Sequence, residues 1–122
     1  MKVIVTATAP ELDAPVDRRF GRAAWFLVVD TESLDWQAHR NGALDAPSGA
    51  GSQAAQFVAT HGAEVVVSGD FGPNAYTALS AAGIRMVLLG SAGTVREAVA
   101  AFSAGQLEEV SGPTGPGRHG GQ

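Results

Sequence analysis

The feature that most restricts the fold of this chain is the alternation of glycine-rich segments with short β-branched runs. Four segments carry most of the ordered-looking glycines: Arg19-Phe-Gly-Arg22, Gly49-Ala-Gly-Ser-Gln53, Gly69-Asp-Phe-Gly-Pro-Asn74 and Gly90-Ser-Ala-Gly-Thr94. The last three each stand just before a pattern with helical spacing, and the first follows the opening β-branched run. Glycine permits close backbone approach, and a helix start presents N–H groups that have no partner inside the helix. Strand–glycine turn–helix units of this kind demand parallel strands joined by right-handed crossovers.

Between the glycines the elements follow from side-chain periodicity. Lys2–Ala7, Ala24–Asp30 and Trp36–Arg40 read as strands, the first continuously apolar and β-branched. A loop from Thr8 to Gly21 separates the first two, and Asn41–Ser48 follows the third. The spacing of Ala54, Phe57 and Val58 predicts a helix from Gly51 to His61, which Gly62 stops. Glu64–Ser68 is a fourth strand, Pro73 to about Ala82 a second helix, and Ile84–Leu89 a fifth strand. Thr94-Val-Arg-Glu97 matches a capping box, and Val95, Ala98, Val99 and Phe102 line one face of a third helix.

The order βββαβαβα specifies an α/β domain over residues 1–110: a mixed five-stranded sheet with helices on its faces and the first strand near the middle. Strands one, three, four and five then end at one edge, which gathers the four glycine segments. Ligands of open α/β sheets settle at such a carboxyl edge. Residues 111–122 are mostly Gly and Pro and are expected to form a disordered tail.

Composition removes several classes of function. The net charge of −4 argues against a general nucleic-acid surface. The absence of cysteine excludes disulfides, thiolate zinc sites and any cluster held by the chain's own thiolates. No apolar run approaches the roughly 20 residues of a membrane span, and Met1-Lys-Val-Ile-Val-Thr-Ala7 is too short an apolar stretch for a signal peptide. The expectation is a cytoplasmic protein with neither nucleic-acid nor membrane partners.

The candidate chemistry is anion binding. Arg18, Arg19 and Arg22 form the local basic cluster, with planar donor forks suited to anions. The plain alternative is a solvated loop paired with Asp13 and Asp17. If Arg19 and Arg22 are exposed and serve the anion, their joint replacement by alanine is expected to weaken binding while leaving stability nearly unchanged. Gly49-Ala-Gly-Ser-Gln-Ala54 satisfies a dinucleotide fingerprint, with Asp70 about 20 residues on, but residues 41–48 intervene where the true motif has a tight turn. What survives there is a helix start with backbone N–H groups and the Ser52 hydroxyl. A two-metal nuclease built on Asp30 and Asp70 fails, because Asp30 closes strand two at the opposite edge. The histidines, 39, 61 and 119, show no metal-ligand spacing; His119, in Arg118-His-Gly-Gly, is the candidate mobile metal ligand.

Together, the N-terminal strand, Pro15-Val-Asp-Arg-Arg-Phe-Gly-Arg22, Gly49-Ala-Gly-Ser-Gln-Ala-Ala55 and Ser68-Gly-Asp-Phe-Gly-Pro-Asn-Ala75 resemble, in order and spacing, the dinitrogenase iron–molybdenum cofactor-binding family. The resemblance covers roughly residues 1–110. It implies a ribonuclease H-like fold and a non-catalytic carrier that holds a metal–sulfur cluster, iron–sulfur or molybdenum-containing, with a cluster donor or acceptor protein as partner. On that reading Arg19 and Arg22 offset negative charge. Gly21, the backbone amides of Gly49, Gly51, Ser52 and Gln53, and those of Gly69, Asp70, Gly72 and Asn74 supply the cradle. Phe20 and Phe71 shield the cluster from water. Relatives often carry histidine or cysteine near the Phe-Gly motif, where this chain has Arg19. A second reading keeps the fold and binds no cluster, the edge serving a protein partner or a small anion in a regulatory or interaction module.

Overall fold

The computed structural model describes residues 1–43 and 49–114. In chain order these form β1 (Lys2–Ala7), β2 (Trp25–Asp30), β3 (Trp36–Arg40), α1 (Ala50–Thr60), β4 (Val65–Ser68), α2 (Pro73–Ala81), β5 (Arg85–Leu88) and α3 (Val95–Ser103). Every element stands within a residue or two of its expected position. The five strands make one sheet in the order β3-β2-β1-β4-β5. β2 runs antiparallel to β1 and to β3, whereas β1, β4 and β5 are parallel neighbours. This mixed order agrees with the ribonuclease H-like sheet that the resemblance implies.

Alternation along the strands sends side chains to two cores. Val3, Val5, Leu27, Val29, Val65, Val67 and Val87 face α3, which answers with Val95, Ala98 and Val99. Ile4, Phe26, Val66 and Met86 face the other way, onto Ala54, Ala55 and Val58 of α1 and Ala75 and Leu79 of α2. Being covered on both faces explains why β1 and β4 are continuous apolar runs rather than alternating ones. Burial of each Val, Leu, Ile, Phe or Met among them stabilises the fold by roughly 1.5–3 kcal/mol, so these layers hold the edge loops against a rigid floor.

One outer strand acquires a neighbour that periodicity did not reveal. Glu108–Val110 lie antiparallel along β5, with the Leu88 N–H donating to the Glu108 carbonyl at 2.9 Å and the Val110 N–H to the Met86 carbonyl at 2.8 Å. A strand edge left open is a template for unwanted pairing, and this short segment closes it.

Candidate functional site

The carboxyl edge is assembled on two buried hydroxyls. Thr6 at the end of β1 and Ser68 at the end of β4 are fully buried, with their oxygens 2.8 Å apart, and the Thr6 hydroxyl also lies 2.5 Å from the Asp17 carbonyl. The chain after β1 folds back along it: the Asp17 N–H donates to the Thr6 carbonyl and the Thr8 N–H to the Pro15 carbonyl. Residues 15–18 therefore lie across the ends of the central strands. Gly69 follows β4 directly beneath them; a Cβ there would sit 2.5 Å from the Arg18 carbonyl oxygen and Cβ, so no larger residue fits.

From this crossing the first glycine segment reaches α1. Phe20 dives into the core, its ring 5.5 Å from that of Phe71 and 5.9 Å from Phe26. A Cβ on Gly21 would lie 3.0 Å from the Gly51 nitrogen, and one on Gly51 would lie 3.2 Å from the Ala75 Cβ. The first three glycine segments are thus stacked in contact, and the N-termini of α1 and α2 stand side by side. Gly49, in the left-handed region at φ 75°, and Gly72 precede these helices, and neither supplies a side-chain cap. Ser52, Gln53 and Asn74 are exposed on the first turns.

The fourth segment reaches the same edge but is chemically closed. Thr94 and Glu97 complete the capping box, and the Glu97 carboxylate also accepts from the Gly93 N–H at 2.8 Å. The Val95 and Arg96 N–H groups donate to the Ala14 and Leu12 carbonyls. All the donors that make a helix start attractive to an anion are spoken for in α3, whereas α1 and α2 start at glycines that supply no side-chain cap.

Charge at the edge is more balanced than the sequence suggests. Arg19, 64% exposed, forks onto both oxygens of Asp17, which is only 7% exposed, with its Nε and Nη2 each 3.2 Å away. Arg18 turns aside, its Nη2 donating to the Gly90 and Ala92 carbonyls at 3.0 and 3.3 Å, and Asp13 pairs with Arg96 rather than with the cluster. Arg22 is half-buried beside Gly21. Half-buried Asp70 lies among these groups: burial pushes its carboxyl above the usual range, while the Phe20 N–H pulls it back; Asp17 adds to the rise and Arg19 opposes it. Because Arg19 covers a buried carboxylate, its removal is not the stability-neutral change expected of an exposed arginine.

Phe20 and Phe71 are 1% and 0% exposed. They form the floor under the glycine segments and leave the surface to backbone and polar groups. Asn41 escapes sequence reading altogether. It is buried at the end of β3, where its Nδ2 donates to the Gly21 and Ala23 carbonyls at 3.0 and 2.8 Å and its Oδ1 accepts from the Ala43 N–H. This clasp fixes the first glycine segment to a strand 18 residues and more downstream. An asparagine directly after a strand is the faint signal that was available.

Two histidines that lack ligand spacing in sequence meet in space. The rings of His39 and His61 are 4.6 Å apart, against Phe57. His61 donates from Nδ1 to the Phe57 carbonyl, 3.0 Å away, while His39 Nε2 is buried without a hydrogen bond. Burial, and secondarily His61, holds the His39 pKa below its usual value. The unfolded chain therefore takes up this proton at a higher pH than the folded one, and the corresponding stability, complete above about pH 6.5, is lost as pH falls below it. His39→Gln is expected to flatten the fall in melting temperature between about pH 7 and pH 5; an unchanged slope sinks the assignment. Among the described residues, no group of three or more His, Asp or Glu side chains is placed to hold a metal ion, and no helix is long and apolar enough to cross a membrane. His119 lies outside the described residues.

The family model described as dinitrogenase iron–molybdenum cofactor matches residues 1–105. The apo form of the orange protein from Desulfovibrio gigas is 44% identical, with 93% of this chain and 96% of that one covered and a TM-score of 0.89. A Thermotoga protein named as a NifB candidate of the DUF35 family is 35% identical over 93% of this chain and 97% of its own, with a TM-score of 0.80. No curated protein sequence matches the chain.

Proposed function

We propose that this chain, which belongs to the dinitrogenase iron–molybdenum cofactor family, is a small carrier that holds an anionic metal–sulfur cluster at its carboxyl edge without covalent attachment. The observation that carries the reading is the side-by-side start of α1 and α2, closely packed through Gly51 and Ala75 and lacking side-chain caps. Two positive helix ends aimed at one place, beside Arg19 and Arg22, suit a diffuse negative charge. With no cysteine in the chain, the cluster is held by hydrogen bonds and charge rather than by thiolate ligation. A cargo held in this way leaves readily, as transfer to an acceptor protein requires. Catalysis is not part of this reading, and the family is described by a cofactor rather than by a reaction.

Of the site residues, Arg19 and Arg22 balance charge and the amides of Gly49, Gly51, Ser52, Gly69, Asp70, Gly72 and Asn74 donate hydrogen bonds, the Gln53 N–H being already given to the Gly49 carbonyl. Gly21 admits close approach, and Phe20 and Phe71 exclude water from below. The test is a titration with tetrathiomolybdate, a tractable anionic metal–sulfur probe, followed by visible absorption. Hydrogen bonds to charged groups are worth about 1.5–3 kcal/mol, so Arg19→Ala with Arg22→Ala is expected to weaken binding at least tenfold. The same change costs about 1 kcal/mol of stability, because the Asp17 carboxylate loses its fork. Equal affinity in the double variant removes both arginines from the site. Colourless protein from cells replete in iron, molybdenum and sulfide, together with no binding of the probe, favours the interaction module instead.

A further inference from the structure

The expected disordered tail begins with four residues that are held in place. The Thr114 N–H donates to the Phe71 carbonyl at 2.7 Å, and the Thr114 hydroxyl accepts from the Phe71 N–H at 2.8 Å, so both backbone groups of Phe71 are satisfied by one residue. Three positions earlier, Ser111 presents its carbonyl to the Tyr76 hydroxyl at 3.0 Å. The segment Ser111–Thr114 thus crosses the third glycine segment and the first turn of α2. Phe71 lies 43 residues from Thr114 in sequence.

We propose that Ser111–Thr114 is a strap that closes the anion site in the empty carrier and is displaced by its cargo. The inference rests on the carrier reading above and adds the regulation of that site. The Phe71 N–H is one of the donors offered by residues 69–74, and an incoming ligand can reach it only if the Thr114 hydroxyl leaves. A neutral hydroxyl is a weaker acceptor than an anionic sulfur or oxygen beside two helix starts. A multiply charged cluster therefore displaces the strap, whereas water and neutral solutes do not. The strap satisfies the turn when no cargo is bound and sets a threshold of charge for binding. Its cost to affinity is the fraction of molecules found closed: two backbone-type bonds of modest net strength hold about ten closed molecules for each open one, which weakens apparent binding roughly tenfold.

The test uses the full-length chain in three forms. Thr114→Val removes the hydroxyl acceptor, and Thr114→Pro removes both the hydroxyl and the N–H donor. Amide exchange at Phe71, read by NMR without ligand, reports strap closure; titration with tetrathiomolybdate reports its competition with cargo. The expected results are a Phe71 amide protected in the unaltered chain and exposed in both variants, with probe binding tighter in both: roughly tenfold in Thr114→Pro, and by a smaller factor in Thr114→Val, which keeps the N–H donor to the Phe71 carbonyl. A Phe71 amide that exchanges freely in the unaltered chain overturns the strap. Binding that is equal or weaker in the variants overturns the competition, the weaker case making the tail part of the binding surface. Protection of Phe71 without binding of the probe in any form refutes the carrier reading, and with it the purpose given to the strap.

Discussion

Gly69→Ala is expected to lower the stability of the domain by about 3 kcal/mol and its melting temperature by about 10 °C. The added Cβ would meet the Arg18 carbonyl oxygen and Cβ at 2.5 Å and its Cα at 2.7 Å. Backbone cannot rotate away as a flexible side chain can, and Arg18 is tied by its guanidinium to the Gly90 and Ala92 carbonyls. Relief therefore requires the crossing loop to lift from the ends of β1 and β4, which would strip the Thr6 and Asp17 bonds as well. Gly72→Ala is the matched control. Gly72 has φ −66°, which any residue adopts, and a Cβ there meets nothing within 4 Å. Alanine at Gly72 is expected to change stability by less than about 1 kcal/mol. Equal melting temperatures for the two variants would show that the loop yields freely, and would remove the argument for a rigid edge.

Phe20→Ala is expected to cost about 3–5 kcal/mol in a urea titration, a large share of the stability of an ordinary domain. Its ring is almost wholly enclosed and makes tilted contacts with the rings of Phe26 and Phe71. The cavity opens under the first glycine segment, so the same variant is expected to lose binding of the tetrathiomolybdate probe while secondary structure persists. Phe20→Leu, which keeps most of the volume, is expected to recover more than half of the lost stability. A Phe20→Ala protein as stable as the original would mean that the loop is not anchored through this ring.

Both predictions concern residues that stand out in the sequence for other reasons. Phe20 sits in the Phe-Gly segment that carries the family resemblance, yet its role as a floor follows from burial. Gly69 reads as one cradle glycine among several, and its steric role follows only when Arg18 is placed on top of it. The arginines show the same division. Three cations within five residues suggest an anion site, but their directions come from partners elsewhere: Arg18 reaches a loop 72 residues away, and Arg19 covers a neighbouring carboxylate. Thr94 and Glu97, three residues apart, complete a cap that local sequence specifies and the structure bears out. That same cap withdraws the fourth glycine segment from the candidate site.

Element order, the position of the glycines and the parallel-neighbour rule were enough to place β1 near the centre of the sheet and the glycine segments at one edge. These properties depend on periodicity and connection length, which are local and survive in a single sequence. Which donors at that edge remain open was decided by tertiary structure. The Asn41 clasp, the His39–His61 contact, the closing of β5 by Glu108–Val110 and the seat of Thr114 on Phe71 each join residues distant in the chain. Such pairings carry no period and no motif, because their energy is realised only when the sheet has already brought the partners together.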